Sequence, residues 1–139
     1  MTITAVWSIA SAADANAGDG LSVTEPGEVD DLIRRLAEPN AGPATIWHEG
    51  RDLADPATGM LDHDVVAAVS GGYGYLSHVD ADHDFAVLDG DPSSPAFAGE
   101  DAEFPAGSGV DPAVLAAALR DFLETGRRPK VVEWRDIDW

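Results

Sequence analysis

Residues 63–88 read HDVVAAVSGGYGYLSHVDADHDFAVL, and the way this stretch divides decides the fold class. His63 to Ser70 holds the unbroken apolar run Val65-Val66-Ala67-Ala68-Val69, the pattern of a strand buried on both faces. Gly71-Gly72 punctuates it and reads as a bulge that re-aims the chain. Tyr73 to Val79 resumes as a strand with Tyr73, Tyr75 and Ser77 on one face. Asp80 to Asp84 is a polar turn, and Phe85 to Leu88 is the partner of the strand before it. Strands that follow one another through short turns pair antiparallel, without the intervening helices that a parallel sheet needs.

On the N-terminal side, Thr2 to Trp7 is β-branched and aromatic and reads as a strand. The turn-forming run 14–20 follows, and Leu21 to Val23 returns as its hairpin partner. Thr24 stands where a helix cap belongs, with Pro26 in the first turn. Val29, Leu32, Ile33 and Leu36 then repeat at the spacing of one apolar helix face. Residues 39–43, PNAGP, stop that helix, and Ala44 to Glu49 is the next strand, followed by a loop over 50–59. Beyond Leu88, a turn spans 89–94 and Ala96 to Ala98 is a short edge strand. Asp111-Pro112 is a helix start, Leu115, Ala118, Leu119, Phe122 and Leu123 form its apolar stripe, and Gly126 ends it. Lys130 to Ile137 is the last strand. The expected architecture is α+β: a single mostly antiparallel β-sheet with two helices, about 24–38 and 111–125, packed on one face.

The length of 139 residues suits one domain spanning 1–139. With no cysteine the chain has no disulfides, thiolate metal sites or thiol nucleophile. Its 26 acidic residues against 8 basic give a net charge of −18, which repels nucleic acid and anionic membranes and attracts cationic partners. The first basic residue is Arg34, so no secretory leader is expected and the expected location is cytoplasmic.

Motifs that would carry chemistry are fragmentary. Asp80-Ala81-Asp82-His83-Asp84 begins like a calcium loop and Asp91 falls at its twelfth position, but Phe85 occupies the sixth, where glycine makes the turn. His48, His63, His78 and His83 show no spacing that places two imidazoles on one helical face. They read as surface or hydrogen-bonded core histidines, and neither metal nor other cofactor is expected. Gly71-Gly72-Tyr73-Gly74 is not followed by the Lys-Ser/Thr of a phosphate cradle, and Ser108 lacks the frame of a nucleophile elbow. No catalytic residue is assigned. A small non-enzymatic module binding a ligand or calcium is the alternative.

Glu103-Phe104-Pro105, the helix ending Phe122-Leu123-Glu124-Thr125-Gly126, and Arg128-Pro129 followed by Val132 and Trp134 are the most distinctive residues. With Gly72-Tyr73-Gly74-Tyr75-Leu76-Ser77 before them, they resemble the Imm1 family of bacterial immunity proteins over roughly residues 20–135, most fully at 103–134. The resemblance implies an antidote, found in actinobacteria and their relatives, that binds a polymorphic toxin, often a nucleic-acid deaminase, and is not an enzyme. Under it, Gly74, Phe104, Pro105, Phe122, Pro129 and Trp134 are expected to serve the fold. The expected partner is a basic cognate toxin domain, bound one-to-one by a chain that is monomeric alone. The expected contact surface is acidic: Asp62 and Asp64, then Asp80, Asp82 and Asp84, with Glu100 and Asp101 beside them and Tyr73 and Tyr75 as aromatic anchors.

Overall fold

Alternation of apolar and polar residues builds the strands, and the computed structural model shows them joined mostly into one sheet. It describes every residue except 12, 15–16, 51–52, 56, 58–59, 100–101 and 138–139, and only the backbone of 53–55 and 60–61. In chain order the elements are β1 (Ile3–Ile9), β2 (Gly18–Val23), α1 (Glu28–Leu36), β3 (Ala41–His48), β4 (Leu53–Asp55) and β5 (Met60–Leu61). They continue with β6 (His63–Ser70), β7 (Tyr73–Asp80), β8 (His83–Leu88), β9 (Phe97–Ala98), β10 (Glu103–Phe104), α2 (Pro112–Thr125) and β11 (Trp134–Asp136). Seven strands form one antiparallel sheet in the order β11-β8-β7-β6-β3-β1-β2, while β9–β10 and β4–β5 are separate two-stranded pairs. The α+β architecture expected from residues 63–88 is the one observed.

Both helices lie on the same face. Val29, Leu32 and Leu36 of α1 and Leu115, Leu119 and Phe122 of α2 pack on Ile3, Ala5, Ile46, Val65, Ala67, Leu76 and Leu88 of the sheet. The C-terminal helix begins and ends as its sequence predicts. The Asp111 side chain accepts the Ala113 amide at 2.8 Å, and Gly126 takes the left-handed conformation at the other end. Asp111→Ala removes that cap and is expected to cost about 1 kcal/mol in chemical denaturation.

The first helix is shorter than 24–38. The Glu28 carboxylate turns back and accepts from the Thr24 amide, the Thr24 hydroxyl and the Glu25 amide. Those groups are thereby satisfied in a turn, and the helix starts only at Glu28, with Gly27 providing no side-chain cap. The last strand is also shorter, because the Lys130 amide is held by the Asp121 carboxylate of α2 until the chain reaches the sheet. The pair β4–β5 occupies part of what reads as a loop at 50–59. Gly71 and Gly72 are the two residues of a tight hairpin turn, with φ of +60° and +83°, and not a bulge. Full pairing from His63↔Asp80 to Ser70↔Tyr73 leaves no extra residue for one.

On the opposite face, β9, β10 and the backbone around them cover the middle of the sheet. Phe97 and Phe104 stack near the Tyr75 ring, with centroids 5.7 and 5.4 Å away, over Ala68 and Val87. The cover is stitched to β7 by two backbone hydrogen bonds between Gly74 and Val110. Gly74 is required there for a second reason: a Cβ on it would lie 2.8 Å from the Leu115 Cβ of α2.

Tyr75 is therefore part of this layer. It is 1% exposed and its hydroxyl donates to the Pro95 carbonyl at 2.8 Å, so it cannot act as the surface anchor expected for it. Burial, with a smaller contribution from Tyr73, pushes the Tyr75 phenol above its ordinary value. The folded chain keeps this proton to higher pH than the unfolded chain, so stability falls as pH rises past about 10. Tyr75→Phe is expected to flatten that alkaline loss in melts taken across the range.

Candidate functional site

The sheet end formed by His48 of β3, His63 of β6, and the β7–β8 tip gathers the polar side chains that the strand pattern leaves inside. All three buried histidines surround Phe122, with ring centroids 5.6 Å (His48), 5.9 Å (His63) and 6.3 Å (His78) from it. Their hydrogen bonds define their protons. The His48 Nδ1 accepts the Gly50 amide at 3.0 Å, so Nε2 donates to the Leu123 carbonyl at 2.9 Å, near the end of α2. The His63 Nε2 accepts the His48 amide at 3.0 Å, so Nδ1 donates to Asp62 at 2.7 Å. Hydrogen-bonded core histidines are what the sequence leads one to expect, and these two have that role.

The third differs. His78 is fully buried, and its Nε2 donates to Asp80 at 2.8 Å, while its Nδ1 is buried with no partner among the described residues. Asp80 also accepts from His83 Nδ1 at 2.9 Å and from the Asp82 amide at 2.9 Å, which closes the hairpin tip. Burial pushes the His78 imidazole down, more than its bond to Asp80 raises it. Burial alone would raise the Asp80 carboxyl, but the hydrogen bonds from His78, His83 and the Asp82 amide outweigh it and hold it well below the usual carboxylate range.

The residues expected at a contact surface divide accordingly. The pairings His63↔Asp80 and Asp64↔Val79 bring the start of β6 beside the β7–β8 tip, so the two acidic segments are neighbours in space. Asp64, Asp82 and Asp84 are exposed there, and Asp62 is half-buried against His63. Asp80 is the correction: its side chain is 4% exposed and turned inward, so it holds the tip together and does not face solvent. This also dismantles the calcium-loop reading, since its first ligand is bound to histidines and Asp91 is bonded to Ser93. Half-buried Tyr73 lies at the opposite end of β7, seven residues or about 23 Å away along the strand. Glu100 and Asp101 lie outside the described residues, as does Trp139.

One basic residue, Arg128, lies close enough to His78 to help lower its imidazole. Among the described residues the basic side chains sit on α1 (Arg34, Arg35), on α2 (Arg120), in the segment after it (Arg127, Arg128, Lys130) and on β11 (Arg135). The Arg128 guanidinium lies over the Trp134 ring, 5.4 Å from its centroid. On the outer sheet face, a cleft of about 760 Å³ runs between β1, β3 and the β9–β10 pair, lined by Val6, Thr45, Val66 and Phe97 among others. The serine considered as a nucleophile has a structural partner: Ser108 Oγ donates to the Pro105 carbonyl at 2.6 Å.

The family-resemblance residues occupy structural positions. Gly74 meets Leu115, Phe104 and Phe122 are 1% exposed, and the Trp134 indole donates to the Pro129 carbonyl at 2.8 Å. Comparison with known families gives the class of protein that this fold and these residues define: it is an immunity protein. The chain belongs to the Imm1 family, whose model, described as immunity protein Imm1, matches residues 17–136. Membership implies an immunity function exerted by binding a cognate toxin protein. No curated protein matches the chain. No helix among the described residues is long and apolar enough to cross a membrane.

Proposed function

We propose that this chain is a cytoplasmic immunity protein that neutralises a toxin domain acting on nucleic acid, of deaminase type, by forming a one-to-one complex through its acidic sheet end. It does so by occlusion and performs no chemistry of its own. The observation that carries the reading is the cluster of exposed carboxylates at this sheet end. Asp64, Asp82 and Asp84 are exposed together where two acidic segments meet. A domain that works on nucleic acid must present Lys and Arg to phosphates. Carboxylates held on a rigid sheet end can stand where those phosphates would lie, and the net charge of −18 speeds the encounter.

The test is titration of the purified chain against the toxin domain encoded beside it, at low and high salt. Tight binding that weakens as salt rises is the expected result. Tight binding indifferent to salt would keep the immunity role and remove the acidic surface from it. Absence of binding and of growth protection on co-expression would overturn the pairing altogether.

A further inference from the structure

The β7–β8 tip places two imidazoles and one carboxylate within reach of a single point. His78, Asp80 and His83 each offer a ligand atom, and these atoms lie within 4.8 Å of one another. Two of the three side chains are nearly inaccessible, at 0% for His78 and 4% for Asp80, whereas His83 is 35% exposed. We propose that these residues bind one divalent transition-metal ion of the zinc type, with His83 on the solvent side of the site.

The donor set selects the ion. Two nitrogens and one carboxylate oxygen suit zinc and its neighbours, whereas calcium and magnesium require shells built from oxygen. The chain has no cysteine, so no thiolate competes for such an ion elsewhere. Zinc holds nitrogen and oxygen at about 2.0–2.2 Å, which sets tetrahedral ligands about 3.3 Å apart. The contacts now at 2.8 Å (His78 to Asp80) and 2.9 Å (His83 to Asp80) must therefore open by about half an ångström. The half-exposed His83 ring on its hairpin can supply much of that movement. The fourth position opens toward solvent and takes water.

Buried polar atoms without partners are rare in proteins, and among the described residues His78 Nδ1 has no partner. A metal on Nε2 would place the ring proton on Nδ1 and leave the imidazole neutral, so the buried ring need carry no charge. The exposed Asp82 and Asp84 flank the tip, and a chain of net charge −18 concentrates cations around it. Once bound, the ion ties β7 to β8 at the segment that presents those two carboxylates. The metal site is independent of any toxin contact and stands or falls separately.

The experiment uses the full chain, stripped with a chelator and titrated with zinc ion alone by calorimetry and thermal melting. One ion per chain is expected, with a melting temperature that climbs as zinc exceeds its dissociation constant. Calcium should leave the melt unchanged. Cobalt in place of zinc should give the visible absorption of a four-coordinate site. His83→Ala, at a half-exposed position, should fold normally, weaken zinc binding at least about tenfold and abolish the cobalt spectrum. Asp80→Asn should do the same wherever circular dichroism shows it folded, and Asp82→Asn should change neither. Zinc binding equal in wild type and His83→Ala would reveal an adventitious ion on surface carboxylates and overturn the site. No effect of zinc at millimolar concentration would overturn it too, leaving a hydrogen-bonded clamp.

Discussion

Reversing Asp64, Asp82 and Asp84 together to lysine should slow association with the cognate toxin domain by about 100-fold at low salt and remove most of its salt dependence. Each Asp→Lys change adds two charges, so the triple variant moves the net charge from −18 to −12, and solubility is preserved. All three side chains are exposed, so the change should alter stability by no more than about 0.5 kcal/mol per site. Asp80 is left in place deliberately. It accepts from His78, His83 and the Asp82 amide, and replacing it would confuse loss of contact with loss of the hairpin tip. The measurement is stopped-flow or surface-based association at two salt concentrations, with circular dichroism of the free variant. An unchanged rate in a folded variant would move the contact surface elsewhere, and the cleft beneath β9–β10 would be the next face to mutate.

Phe122→Ala should have the largest effect on the fold. The ring is 1% exposed and sits among His48, His63 and His78, with α2 above it and the sheet below. Removing it leaves a cavity lined by imidazoles, at an expected cost of about 3–5 kcal/mol. Domains of this size have a total stability of about 5–15 kcal/mol, so the variant should be half-unfolded at moderate urea or not fold at all. Its surface charges are untouched, so any loss of toxin binding should follow the unfolded fraction measured by denaturation. A cost below about 1 kcal/mol would mean that α2 is not seated on the histidines as the structure shows.

Local signals predicted much of this architecture correctly. Asp111-Pro112 and Gly126 bracket α2 because a cap and a left-handed stop act on their own few residues. The stripe Leu115, Leu119 and Phe122 announces its burial through its period, and the run Val65 to Val69 through its unbroken apolar character, with Val66 partly buried. The boundaries that slipped did so where a side chain reached backbone several residues away, as Glu28 does to Thr24 and Asp121 to Lys130.

The candidate site was legible only in part, and Asp80 and Tyr75 show why. Both look like surface residues, one in a string of aspartates and the other alternating along a strand. Asp80 turns inward because the register His63↔Asp80 closes the sheet end over Phe122, where His78 waits as a donor. Tyr75 is enclosed because the segment carrying Phe97 and Phe104 folds back across the second sheet face. Strand identity, helix ends, the acidic charge and the Imm1 motifs reside in the sequence, since each depends on near neighbours or on composition. Which carboxylates reach solvent, and which gather around imidazoles, depends on register and on a distant covering segment. Only the tertiary structure decides those, because burial is fixed by contacts between residues far apart in the chain.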